Sequence, residues 1–464
     1  MQLRRGSRYW LALTALTFAG SALRAQGFGL NEISTCGLGR GYAAVATGCH
    51  DASAIYWNPA AAATLNGWNW VVGASAIALN GKFVQDTTFR TYKADVPTAI
   101  VPHAFLNYHR AGSKASFGLG VYVPYGLTSQ WHTDFPGRFS AQKASLQTLY
   151  VQPNVGWQIT PNWNIGVGPI VGHSTVELRQ SLDLSTVPVT GQPFTFASLG
   201  VAKHTEFGTA RLKGDAWGYG AHFGLQGKLS SNWMFGVRYL TPITFKYNDA
   251  DATFAQVNTG LILPAGNPLG LPTGTPLDAV LLGQFTGSGA LTAQKVNTKI
   301  THPQQLQVGF AYTGYRNWEL EADYAMIGYK AFKELPIDFS NSATTDRTLI
   351  EDYNNSSAIR LGAEYSFANR ARARAGFAGV TRAAPDVTVT PLLPEQDRAN
   401  YSLGATIPVF GNFMVDAGYV LVTTPGRRGR IDERTSTTQT AAQLNSGVYS
   451  LTANIFALSL KASF

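Results

Sequence analysis

The chain has 464 residues, 45% of them apolar and only 14% charged, with 48 Gly, 12% aromatic residues and a formal charge of +9. Arg4, Arg5, Arg8 and Arg24 account for part of that charge, and the remainder, +5, is too small to imply a nucleic-acid partner. Nowhere beyond the N-terminus do about 18 uncharged apolar residues run together, which excludes a helical membrane protein, whereas abundant glycine and aromatics suit many turns, close strand packing and aromatic girdles.

In chain order, the positive start of Arg4, Arg5 and Arg8, the apolar run from Trp10 to Gly20 and the small residues at Leu23-Arg24-Ala25 predict a secretory leader over residues 1–25. Arg24 is unusual at such a site, so cleavage after Ala22 stays open. Residues 26–66 hold too many small residues to build a core of their own and are expected to fold back as a hatch, or plug, inside whatever follows. Gly37-Leu38-Gly39-Arg40-Gly41 follows no strand and does not complete a phosphate-binding glycine motif, so a flexible turn is the better reading. Cys36 and Cys49 are the only cysteines; in an exported chain a disulfide and a pair of buried free thiols both fit. Asn58-Pro59 is a turn initiator ahead of the first strand.

From residue 67 to residue 464 the pattern changes to alternating segments of the length a membrane β-strand needs, about 9 to 11 residues or more. Candidates are 68–79, 100–110, 115–126, 143–159, 163–180, 214–229, 232–248, 302–314, 316–331, 355–368, 370–382, 399–409, 411–424 and 448–464. Their connections alternate between tight turns, such as Ser230-Ser231 and Phe410-Gly411, and long loops, such as 181–213 and 249–301. That alternation is what periplasmic turns and extracellular loops produce. The fold expected is all-β, a 14-stranded antiparallel transmembrane β-barrel with the hatch in its lumen. A soluble sandwich would not need the terminal aromatic strand, where Phe456, Leu458, Leu460, Ala462 and Phe464 share one face.

The segments GFGLNEIS, GLGRGY, DASAIYWNPA, VPYGLTSQW, KGDAWGYG and PEQDR, spread from residue 27 to the C-terminus in that order, resemble the FadL/TodX (OmpP1) family of outer-membrane transporters for long-chain fatty acids and other hydrophobic compounds. The resemblance implies a monomeric barrel of this kind. It implies that Asn58, Pro59 and Ala60 form the hatch motif, that Gly27 and Phe28 lie near the ligand, and that a wall opening for lateral escape falls near Pro124, Tyr125 and Gly126. The Cys36 and Cys49 pair departs from the fatty-acid branch as we know it, and a bridge would stiffen the hatch.

Independently, Pro124 cannot donate to a ladder, so it either kinks the wall or ends its strand at the membrane surface. Arg370, Arg372, Arg374 and Arg382 share the face opposite Ala371, Ala373, Ala375 and Phe377, and with Arg360, Glu364, Glu319, Glu321 and Asp323 they are expected to point inward, since Arg on the lipid face costs about 2 to 4 kcal/mol. The plainer role is an ion-pair ladder bracing the wall; the functional one has Arg360, Arg372 or Arg374 meet a ligand carboxylate. Residues 257–290 are unusually apolar for an exposed loop and read as a landing surface for a greasy substrate or as packing against a neighbouring loop. The expected activity is passive uptake of long-chain fatty acids or similar molecules, through hatch movement or the wall. Aromatic hydrocarbon uptake is the alternative, and a lipid-hydrolysing barrel is the enzyme alternative, disfavoured because the His residues show no spacing that marks a base. No cofactor or metal is expected. The partners expected are the hydrophobic ligand, outer-membrane lipid and lipopolysaccharide, and the barrel assembly machinery through Phe464.

Overall fold

The computed structural model describes residues 27–189, 193–434 and 438–464; the leader expected over residues 1–25 lies outside the described residues. Among the described residues no helix is long and apolar enough to cross a membrane. The wall consists of β1 (Gly67–Gln85), β2 (Ala99–His109), β3 in two pieces (Ala115–Tyr122 and Gly126–Gln130), β4 (Lys143–Thr160), β5 (Trp163–Asp183) and β6 (Glu206–Lys228). It continues with β7 (Trp233–Leu240 and Ile243–Gln256), β8 (Gln294–His302 and Gln305–Tyr312), β9 (Trp318–Ile327 and Glu334–Phe339) and β10 (Ser356–Ser366). The last four are β11 (Arg372–Val380), β12 (Arg398–Phe410), β13 (Phe413–Thr423) and β14 (Gly447–Ser463).

Each strand pairs antiparallel with the next, and β14 pairs with β1 from Asn69↔Ser463 to Gln85↔Gly447, so the 14 strands close on themselves. Closure removes the sheet edges that lipid could not satisfy. Side chains alternate as the sequence requires: Trp217, Tyr219 and Phe223 are exposed outward while His222 and Gln226 on the same strand are buried inward. The tight turns fall where expected. The long loops are shorter than expected at 181–213 and 249–301, because β6 begins at Glu206, and β7 and β8 continue past the membrane with Asp251 opposite Lys295. Within the remaining loop, Leu263, Leu277 and Leu281 pack on Leu184, Val189, Phe196 and Phe207, while Ile262 (66%) and Leu282 (50%) stay exposed. Packing and an exposed apolar surface therefore coexist there.

The described residues preceding β1, from Gly27 on, lie inside this ring and are almost wholly buried. They form two short helices, α1 (Thr35–Gly39) and α2 (Ala54–Trp57), and a 3-10 turn at Pro59–Thr64. Small residues on the wall let this backbone come close: a Cβ at Gly404 would stand 2.9 Å from Gly39 Cα, and one at Gly224 would stand 2.2 Å from Asn58 Oδ1.

Candidate functional site

Side chains aimed inward from around the ring hold the hatch. Arg40, fully buried, donates to Glu321 at 2.8 Å and pairs with Glu319 at 2.6 Å, both on β9. Glu321 also accepts from Ala46 N (2.6 Å) and Thr47 Oγ1 (2.7 Å), and Asp323 accepts from Ala44 N and Val45 N. These carboxylates satisfy backbone donors that would otherwise be orphaned in the lumen. Across the ring, Lys461 reaches Asp51 at 3.3 Å, Gln226 donates to Ala46 O at 2.8 Å, and Arg238 donates to Tyr56 O at 2.8 Å while stacking on its ring. Asn58 caps the Pro59–Thr64 turn through Ala60 N, and its amide donates to Val45 O in the hatch and Leu225 O in the wall. The Asn-Pro-Ala stretch is thus a rivet between plug and barrel. Cys36 and Cys49 are joined as a disulfide with Cα atoms 6.1 Å apart.

The inward arginines have partners of their own. Arg372 and Arg374 both bond Glu364, and Arg374 also donates to Thr406 Oγ1 at 2.7 Å. Arg360 donates to Asn31 Oδ1 (2.8 Å) and Gln307 Oε1 (3.0 Å). None of the three lines the large cavity, so the ladder ties wall strands to one another and to the hatch. Arg370 sits in an exposed tight turn and donates to Gly411 O, and Arg382 lies beyond the end of β11, paired with Asp386 and Asp397; neither belongs to the inward ladder, because the strand is shorter than its alternating pattern.

That cavity, about 670 Å³, lies above the hatch. Gly27, Leu30 and Glu32 line it from the hatch, Ile77, Leu79, Val422 and Ile455 from the inner wall, and Ile100, Pro102 and Leu149 at its outer end. It reaches the outer surface because the wall is open there. β2 pairs with β3 only from Ala104↔Val121 to His109↔Ser116, leaving Ala99–His103 without a neighbour on that side. β3 itself breaks between Tyr122 and Gly126, so Pro124 kinks the strand rather than ending it.

The hatch tip occupies the break. Leu30 N donates to Pro124 O at 2.9 Å and Gly126 N to Phe28 O at 3.0 Å, a single bridge in place of the missing ladder. Gly29 N donates to Tyr329 Oη at 2.6 Å. The Phe28 ring packs edge-on against Tyr329 and Phe332, each 5.4 Å away, with Tyr125 and His302 beyond. Tyr125 is turned inward by the kink and donates to Pro303 O across the lumen.

Sequence reasoning singled out two further cavity residues, Gln396 and Arg398, only as part of the PEQDR segment and gave them no role. Gln396 is 2% exposed, and neither its side-chain oxygen nor its nitrogen has a hydrogen-bond partner among the described residues. Arg398 Nε is likewise buried and unpartnered, and among the described residues no carboxylate forms an ion pair with the guanidinium. The nearby carboxyl of Glu395 is pushed up to about 8 by burial, against the pull of the Ala383 and Ala384 N–H groups and Arg427. An apolar chamber with one unsatisfied cationic and amide end can hold a hydrophobic molecule with an acidic head.

A closed barrel with a riveted plug, a largely apolar chamber and a slot in its wall is a membrane-embedded conduit for apolar solutes. Residues 16–464 match the model of the outer membrane protein transport protein family (OMPP1/FadL/TodX). The chain belongs to that family. It is 25% identical over 491 residues to outer membrane protein P1 of Haemophilus influenzae, covering 98% of each chain. It is 26% identical over 418 residues to the long-chain fatty acid transport protein of Escherichia coli, covering 84% of this chain and 86% of that one. In fold it is similar to a FadL homologue of Pseudomonas aeruginosa (TM-score 0.78, 19% identity, 95% and 100% of the two chains). It is also similar in fold to the toluene transporter TodX of Pseudomonas putida (TM-score 0.65, 15% identity, 95% and 100%). The protein is thus an outer-membrane transporter, and the lipid-hydrolysing alternative is set aside.

Proposed function

We propose that the chain takes up long-chain fatty acids and similar amphiphilic hydrophobic molecules, passively and without chemistry on the cargo. A molecule leaves water onto the apolar loop surface around Ile262 and Leu282 and passes into the cavity, where its carboxylate meets Arg398 and Gln396. It leaves sideways through the slot between β2 and β3 when residues 27–32 give way. The observation that carries this reading is the unpartnered Gln396 and Arg398 pair at one end of an apolar cavity of about 670 Å³ that runs on to the wall break. Volumes of about 300 to 1,000 Å³ are those of ordinary small-molecule sites. Relatives are named for fatty acids and for toluene; only the acid would use the charged end. The exposed ring of Phe464, whose main chain is paired with Trp68, is the feature we assign to recognition by the assembly machinery.

Equilibrium binding of a radiolabelled long-chain fatty acid to purified Arg398→Gln tests it. A charge-assisted hydrogen bond contributes about 1.5 to 3 kcal/mol, so affinity should fall roughly 10- to 100-fold, with toluene uptake by cells unchanged. Undiminished acid affinity, displaced by toluene, would make the protein a hydrocarbon channel.

A further inference from the structure

We propose that the outward face of β5 to β8, at and above the upper aromatic girdle, is a binding surface for the phosphorylated glycolipid of the outer leaflet, whose lipid phosphates it holds with Lys246, Lys299, Lys213 and Arg211.

The girdle is marked by Trp217 and Tyr219, 60% and 71% exposed. Below it, outward positions are Phe223, Val167 and Ile165, which face the acyl chains. At and above it the same face becomes cationic. Lys246 on β7 stands directly opposite Lys299 on β8, and Arg179 on β5 directly opposite Arg211 on β6. Like charges in facing positions destabilise a sheet. One pair is relieved internally, since Glu177 bonds Arg179 (2.6 Å), Arg211 (2.9 Å) and Lys143 (2.9 Å). Lys295 is matched by Asp251 at 2.7 Å, and Asp215 bonds His173.

Lys246 and Lys299 have no such relief. Both are exposed, and among the described residues no carboxylate, Asp249 at the adjoining bulge included, stands within ion-pair distance of either. Facing side chains are about 5 Å apart at Cβ, so two ammonium groups can converge on one phosphate, whose charge removes their repulsion. Lys213 and Arg211 extend the surface one strand away. The surface is bounded: on β9, the strand beside β8, the outward positions are Glu334 and Asp338, and those in β12 and β14 are Tyr401 and Thr452, while on β1 the exposed Lys82 faces Lys93 as a separate pair. Each cation near the headgroups attracts anionic lipid.

Native mass spectrometry of the full-length mature protein, released from outer membranes and incubated with lipid A bearing both phosphates or with dephosphorylated lipid A, tests the proposal. Expected is retention of the phosphorylated form in the presence of EDTA. Lys246→Gln with Lys299→Gln should weaken it about 30-fold, because each cation near the surface contributes roughly a factor of five. Lys246→Glu creates an opposite-charge pair with Lys299 and so preserves the sheet, yet it should lose the lipid as well. Lys114→Gln, an exposed lysine in the tight turn between β2 and β3 at the other end of the barrel, should change nothing. Equal retention of the dephosphorylated lipid, unchanged binding by both Lys246 variants, equal loss in Lys114→Gln, or release by EDTA, which would mean metal-bridged binding through the carboxylates, would each overturn it.

Discussion

The body of the hatch and its tip are held by different means. From Arg40 to Asp51 the plug is tied to β9 and β14 by buried carboxylates, Arg40 and Lys461, and it is stitched internally by Cys36–Cys49. From Gly27 to Leu30 the chain is held by two main-chain hydrogen bonds to β3, one to Tyr329 and the packing of Phe28. The difference indicates where motion is cheap. Breaking a buried ion pair by removing one partner costs about 3 to 5 kcal/mol, whereas net hydrogen bonds contribute about 0.5 to 1.5 kcal/mol each. Opening at the wall break therefore needs only the tip to yield, while expulsion of the plug requires many buried contacts to fail together.

The contrast breaks most severely if the body is unpinned. Glu321→Ala removes one of the two carboxylates paired with Arg40 and strips Ala46 N and Thr47 of their acceptor, and should lower stability by about 3 to 5 kcal/mol. Heat-modified gel mobility would register the loss, and single-channel recording should show larger, porin-like openings that the intact protein lacks. Less severe is Cys36→Ser with Cys49→Ser. The bridge spans a sequence separation of 13, a loop whose closure contributes about 3 kcal/mol in the chain-entropy picture. Hydrogen exchange should quicken in α1 and around Gly48 but not in the wall. Phe28→Ala has the smallest global effect and acts at the other pole. Exchange at Leu30 and Gly126 should rise several-fold through local opening, with the unfolding temperature nearly unchanged and the uptake rate increased. A comparable loss of global stability in Phe28→Ala and Glu321→Ala would erase the distinction.

Much of this was legible in the sequence because barrel physics is local. The inward and outward alternation of β6 or β14 is written in successive residues, and the short and long connections order themselves by length. Pro124 marked an irregularity for the same reason, a missing donor being a property of one residue, though not whether it kinks the strand or ends it. Other breaks were not foreseen, although Pro242 and Pro303 sit at those in β7 and β8. What could not be read was which inward charge lacks a partner. Arg372 and Arg374 were open to bracing or to ligand contact, and their acceptors, Glu364 and Asp416, come from other strands. Arg398 differs in showing no ion pair among the described residues, which depends on the closure of the ring. Gln396 precedes its strand in a loop, where alternation carries no signal. The Cys36–Cys49 pairing depended on how the plug folds against the wall rather than on spacing.

The most direct measurement locks the tip. A Cβ at Gly126 would stand 2.9 Å from Leu30 Cδ1, so Leu30→Cys with Gly126→Cys can form a second disulfide while the body of the hatch is untouched. Fatty-acid uptake by cells carrying the oxidised variant should fall to the level of cells without the protein, binding by the purified protein should persist, and mild reduction should restore uptake. Full uptake with the lock closed would mean that the cargo passes by displacement of the plug body, and that the wall break is not its way out.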